Sequence, residues 1–134
     1  KLGGLVFGDP TSLARLNDII FTYLPRELQR RMDDSDAPVV GIDAINLVES
    51  GLSHLCRRTV AVLAPEEVRV RRIMARDSIP EDYARLRVQA QRQDDFYREN
   101  CTDVLMNSAA SPQAFEEIAY QKLQHIIEEE TDHE

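Results

Sequence analysis

Thr59-Val60-Ala61-Val62-Leu63-Ala64-Pro65, followed by Glu66-Glu67-Val68-Arg69-Val70-Arg71-Arg72-Ile73-Met74-Ala75-Arg76, changes its apolar period across one proline. A short β-branched run stopped by proline predicts a buried strand. Val68 and Ile73, with the arginines in helical order, predict the helix that follows it. Upstream, Val39-Val40-Gly41-Ile42-Asp43-Ala44-Ile45 reads as another such strand, and Asn46 to Cys56 between the two is long enough for about two helical turns. Downstream, Pro80 opens a helix through Arg98, Val104-Leu105-Met106 suits a last strand, and Pro112 opens a C-terminal helix with an acidic tail. Near the start, Asp9-Pro10-Thr11-Ser12 reads as a helix start. Leu13, Leu16, Ile19, Ile20, Tyr23 and Leu24 then recur at threes and fours until Pro25 interrupts, and Glu27 to Met32 continues in helical style.

Alternating strands and helices predict an α/β layered fold with a parallel sheet, in which ligands bind beyond the carboxyl ends of the strands. Asp43 to Glu49, Ala64 and Asn107 occupy such ends. Residues 1–36 are expected to form a helical region and residues 37–134 the α/β core, with lid helices over about 78–98. Three strands make a small sheet for this class, so further strands are expected upstream of Lys1.

The chain has 134 residues, 43% of them hydrophobic and 30% charged, which fits one globular domain and excludes a disordered or collagen-like chain. Sixteen Lys and Arg against 24 Asp and Glu leave a net charge of −8, which disfavours nonspecific attraction to nucleic acid or an anionic membrane. Cys56 and Cys101 lie in no CxxC or Cys/His spacing, so neither a zinc site nor a disulfide scaffold is expected. No apolar run approaches the roughly 20 residues of a membrane span, and no signal-peptide plan opens the chain; a cytoplasmic protein is expected.

Charge is unevenly spread. Residues 57–98 hold ten arginines against seven acids, a local net of +3. Arg69, Arg72 and Arg76 fall on one helix face, where guanidinium groups can grip phosphate oxygens in pairs; the same spacing serves a solvated face paired with Glu66, Glu67 and Asp77. Arg85, Arg87 and Arg92, with Gln89 and Gln91, make a polar helix suited either to a flap over a charged ligand or to plain surface. Asp43 could hold a ligand hydroxyl or a metal-bound water, and Glu49 could pair with an arginine; a structural salt bridge is the more frequent explanation for either. His54, His125 and His133 show no metal-ligand spacing, and no metal site is expected. Gly3, Gly4 and Gly8 lie in a segment without the lysine of a phosphate-cradling loop.

Six segments in order resemble the dephospho-CoA kinase family: Lys1-Leu-Gly-Gly-Leu-Val-Phe7, Leu16-Asn17 with Ile20, Glu49-Ser-Gly-Leu52, Pro65-Glu-Glu67 with Arg72-x3-Arg76-Asp77, Ala84-x2-Arg87-x3-Gln91, and Val104-Leu105-x-Asn107. The resemblance implies a partial P-loop kinase-like α/β fold that transfers phosphate from ATP, with Mg²⁺, to the ribose 3′-hydroxyl of dephospho-CoA. It implies catalytic roles for Arg76 and Arg87, nucleotide contacts from Arg72 and Asn107, and a CoA-side region that includes Phe21, Thr22, Asp43 and Glu49. Where the family has His-Pro, Pro-Leu, an Asp and a Gly, this chain has Phe21-Thr22, Ile45-Asn46, Met106 and Ala109. The family's P-loop and its base would precede Lys1, so transfer is expected of a longer enzyme and the 134 residues alone are expected to be inactive. A non-catalytic CoA- or nucleotide-binding relative is the alternative, and self-association through an uncovered sheet edge is a third reading.

Overall fold

The computed structural model describes residues 9–131. The Lys1–Phe7 stretch and the last residues of the acidic tail lie outside that range. The chain divides into two compact units, one running to Cys56 and the other starting at Arg57.

The first unit is built on α1 (Pro10–Asp33). The Asp9 side chain caps it, accepting from the backbone N–H groups of Thr11 and Ser12 at 3.2 and 3.1 Å, and these bonds with the Ser12 hydroxyl hold its carboxyl below the usual range. Pro25 does not end the helix, contrary to the expected interruption. Its ring removes one backbone donor, yet the helix runs on to Asp33. Ion pairs of Glu27 with Arg30 and Arg31, both at 2.8 Å, and of Arg30 with Asp34 at 2.6 Å stitch the last turns.

The segment Val39–Ile45 is not a strand. Residues 39–44 are irregular and Ile45 begins a turn-rich stretch, with Val39, Val40 and Ile45 exposed. A strand needs a neighbour for its N–H and C=O groups, and among the described residues no segment pairs with this one. The two helical turns expected over Asn46 to Cys56 reduce to turns and a 3₁₀ helix, Leu52–Leu55, entered through Gly51 at φ 76°. Leu52 is the buried residue there.

The second unit holds the sheet. β1 (Val60–Leu63) and β2 (Asp103–Met106) run parallel, with Val60 opposite Asp103 and Leu63 opposite Met106. Thr59 and Thr102 extend the ladder at its start: each backbone N–H donates to the other's hydroxyl, at 2.8 and 3.0 Å. Ala61, Leu63 and Leu105 are buried while Val62 is 56% exposed, so the strands bury one face rather than the two expected of a central parallel strand.

The crossover between the strands is helical, and its connection is long enough for a parallel pair. α2 (Glu66–Asp77) carries Glu66 and Glu67 in its first turn and Arg76 in its last, both favourable to the helix dipole. Ser78 ends it at φ 53°, a left-handed residue that turns the chain sharply into α3 (Glu81–Gln89). Val70 of α2 packs with Ala84 and Val88 of α3, flanked by Ile73, Met74 and Ile79; the small Ala84, fully buried, lets the two helices close. The helix expected from Pro80 through Arg98 is broken at 90–93 and resumes as α4 (Asp94–Asn100). Val88 is the last apolar anchor before Phe96, and Asp94 and Asp95 make the acidic first turn of a new helix. α5 (Pro112–Thr131) follows β2, opened by the Ser111 hydroxyl accepting from the Ala114 N–H at 3.2 Å.

Candidate functional site

Ala64 and Asn107 stand at the carboxyl ends of the two strands, as expected from the parallel alternation. The Asn107 backbone N–H donates to the Leu63 carbonyl at 2.6 Å, which continues the ladder one residue and fixes the asparagine beside the α2 face. There Arg72 Nη2 donates to the Asn107 side-chain oxygen at 3.1 Å and reaches the Ala109 carbonyl at 3.5 Å. Two of the predicted residues, Arg72 and Asn107, are thus brought into one contact. Strand end, helix face and the loop after β2 meet at that point.

Arg76 and Arg87 are brought together by Asp77. Arg76 donates from Nε to Oδ1 at 2.7 Å and from Nη2 to Oδ2 at 3.0 Å, and Arg87 Nη1 donates to the same Oδ2. The two guanidiniums hold the Asp77 carboxyl well below the ordinary carboxylate range. Both arginines remain largely open to solvent, with side chains 68% and 42% exposed, so they can meet a ligand without rearranging the helices.

The other arginines of the basic stretch are spent on the fold. Arg69 turns to Asp94 at 3.4 Å, so the expected Arg69–Arg72–Arg76 face does not act as one set. Arg85 bridges Glu67 at 2.8 Å and Glu81 at 2.7 Å, tying α2 to α3. Arg92 lies 5.0 Å over the Phe96 ring, and Arg98 donates to the Met106 sulfur at 3.6 Å. The α3 helix, read as a polar flap, is docked on α2 through Ala84 and Val88.

The CoA-side candidates lie in the first unit. Phe21 is 45% exposed on α1, and the neighbouring Thr22 hydroxyl donates to the Asp18 carbonyl at 2.7 Å. Asp43 and Glu49 are exposed on irregular chain and turn rather than at the end of a strand. That correction follows from the missing pairing of residues 39–45.

Two groups escaped the sequence reading. Asp77 entered it only as a neighbour of Arg76, although an acid directly after an arginine-rich helix face signals a counter-charge. Asp103 is buried at the start of β2, where Lys122 donates at 2.7 Å and Arg58 and Thr102 at 2.9 Å each. Burial alone would push its carboxyl up, but the Lys122, Arg58 and Thr102 bonds outweigh it and bring it down to about 2. An acid opening a short apolar run, with Arg58 just before the other strand, was the available signal. This network ties the strand starts to α5, where Arg58 also reaches Glu129 at 3.0 Å, and it stands at the opposite end of the sheet from Asn107.

Among the described residues, no His, Cys, Asp and Glu side chains gather as a metal site, and no helix is long and apolar enough to cross a membrane. The guanidinium of Arg72 and the amide of Asn107 meet at the strand ends, and Arg76 and Arg87 share Asp77 on α2 and α3.

Comparisons with known proteins identify the family. The sequence model of the dephospho-CoA kinase family (CoaE) matches residues 1–113. A dephospho-CoA kinase from Thermus thermophilus is 33% identical over 109 residues, covering 81% of this chain and 54% of the relative. One from Lactobacillus johnsonii is 32% identical over 94 residues, covering 68% of this chain and 48% of the relative. The crystal structure of TT1252 from Thermus thermophilus superposes with a TM-score of 0.69 at 31% identity, over 92% of this chain and 64% of that one. The chain spans about half the length of the curated relatives it matches. With a family match over most of its length and an α/β structure shared with a solved relative, this chain belongs to the dephospho-CoA kinase family.

Proposed function

We propose that these 134 residues are the substrate-side and lid portion of a dephospho-CoA kinase, which phosphorylates the ribose 3′-hydroxyl of dephospho-CoA with ATP. The observation that carries this reading is that Arg72 meets Asn107 at the strand ends and that Arg76 and Arg87 share Asp77, on top of family membership. In this reading Asn107 meets the adenine, Arg72 a nucleotide phosphate, and Arg76 and Arg87 the transferred phosphoryl group. Phosphoryl transfer needs little covalent chemistry from the protein, and such arginines act by position and charge. Phe21 and Thr22 on α1, with Asp43 and Glu49, are assigned to the CoA side, and residues 1–36 to its helical region.

The guanidiniums fit the anionic end of ATP. The described residues offer no carboxylate cluster for Mg²⁺, so no step is derived through the metal. The test is transfer of labelled phosphate from ATP to dephospho-CoA by a chain carrying both these residues and a phosphate-cradling loop. Labelled CoA is the expected product; no label above a buffer control overturns the reading.

A non-catalytic nucleotide- or CoA-binding relative is favoured by one observation, the Met106 sulfur contacting Arg98 where the family has an aspartate. Calorimetric binding of ATP and CoA without transfer would select it.

A further inference from the structure

We propose that Asp77 is a positioning residue: it stays bonded to Arg76 and Arg87 while they bind phosphate oxygens, and holds the two like charges in register for that ligand. The inference rests on the anion-binding role given above to Arg76 and Arg87 and goes beyond it by adding a residue that touches neither substrate.

Three features of the structure carry it. Arg76 and Arg87 come from different helices, yet both donate to one oxygen, Oδ2 of Asp77. Two guanidiniums that share an acceptor are close enough to repel, and in the absence of a counter-charge exposed arginines of this length would swing apart. The carboxylate also takes the Nε side of Arg76, with bonds from Nε and Nη2, which leaves Nη1 of that same fork for another anion. Finally, the α2–α3 pair has other contacts: Val70, Ala84 and Val88 pack the helices, and Arg85 of α3 bonds Glu67 of α2. A side chain outside that packing, placed between two arginines by the left-handed turn at Ser78, acts on the arginines. Holding them in one arrangement removes ordering cost from binding.

A competing carboxylate, displaced by the ligand, would have the same resting geometry. The two roles differ in sign. Tripolyphosphate titrated into the chain at low ionic strength and followed by calorimetry separates them, with Asp77→Asn and Asp77→Glu beside it. Positioning predicts that Asp77→Asn weakens binding about tenfold while Asp77→Glu restores it to within about threefold, with thermal midpoints of both variants within about 2 °C of the parent. Equal or tighter binding by Asp77→Asn overturns the proposal, as does no binding by the parent chain.

Should Asp77→Asn melt early, the Arg76 Nε–H resonance of the parent chain decides. It is expected to keep its hydrogen-bonded shift and slow exchange when tripolyphosphate is added, and its loss means that the carboxylate was displaced. Failure of phosphate transfer to dephospho-CoA, with Asp77-dependent tripolyphosphate binding intact, would sink the kinase reading and leave this one standing.

Discussion

The two units of the chain place their apolar residues in opposite ways. In the second unit Val70, Ala84 and Val88 are 3% exposed or less, and they close α2 against α3. In the first, α1 has 24 residues and buries none, and Ile19, Phe21 and Tyr23 are 51, 45 and 65% exposed. Both helical segments carry apolar residues at helical spacing. Spacing makes a face, but only a facing element turns it into a core. The second unit has such elements within a few tens of residues, and among the described residues the first has only the 3₁₀ turn near Leu52.

That contrast can be broken most directly at Asp103. Asp103→Ala leaves Arg58 and Lys122 without their buried partner and should cost the second unit about 3 kcal/mol. Urea denaturation followed by hydrogen exchange should show strands and α5 opening together, with α1 amides unchanged. A loss shared equally by α1 would mean that the units fold as one.

Acid sharpens the difference next. The Asp103 carboxyl is lowered in the fold, so its contribution is complete above the ordinary carboxylate range and fades as pH falls toward about 2. A shift from 3.8 to about 2 is worth about 2 kcal/mol, lost between roughly pH 4 and pH 2. In the first unit Glu27 is also lowered to about 2, by bonds from Arg30 and Arg31, and so titrates in the same window. It is exposed, so added salt should erase its effect and spare that of Asp103. Acid titrations monitored by residue-resolved exchange at low and high salt test this.

Packing is the third lever. Val70, 1% exposed, should lose about 1.5 kcal/mol on Val70→Ala, whereas Ile19→Ala at 51% exposure should change stability by less than about 0.5 kcal/mol. Equal effects would show that the α1 face is covered in solution. A smaller loss than that of Val70→Ala falls on the turn that opens the 3₁₀ segment. Gly51 sits at φ 76°, and Gly51→Ala should cost about 1 kcal/mol from backbone strain alone, since an added Cβ meets only His54 Cδ2 at 3.9 Å. Thermal melts of the two chains measure it.

Much of the fold was legible in the residue order. The Asp9 cap, the strand before Pro65, the α2 helix, the strand through Leu105 and the helix after Pro112 all follow from capping residues, β-branched runs and prolines acting locally. Val39–Ile45 has the same local character as β1 and is no strand, because strand character is completed by a neighbour's hydrogen bonds. Pro25 shows the converse: a local breaker stands inside α1 without ending it. Among site residues, the pairing of Arg72 with Asn107 spans 35 positions and that of Arg87 with Asp77 spans ten, so neither was visible as a spacing. The family's ordered motifs supplied what periodicity lacked, naming Arg72, Arg76, Arg87 and Asn107 without their partners.

By itself, then, the sequence determined the elements whose formation is local, the excess of arginine between residues 57 and 98, and the family. Tertiary structure alone decided which arginines are spent on Asp94, Glu67 and Glu81 and that Arg72 meets Asn107 at the strand ends. It also set Asp77 between two of them and buried Asp103 beneath Lys122 and Arg58. The reason is physical: capping and periodicity act over a few residues, whereas the partner of a charge is fixed only when packing brings distant segments within a few ångströms.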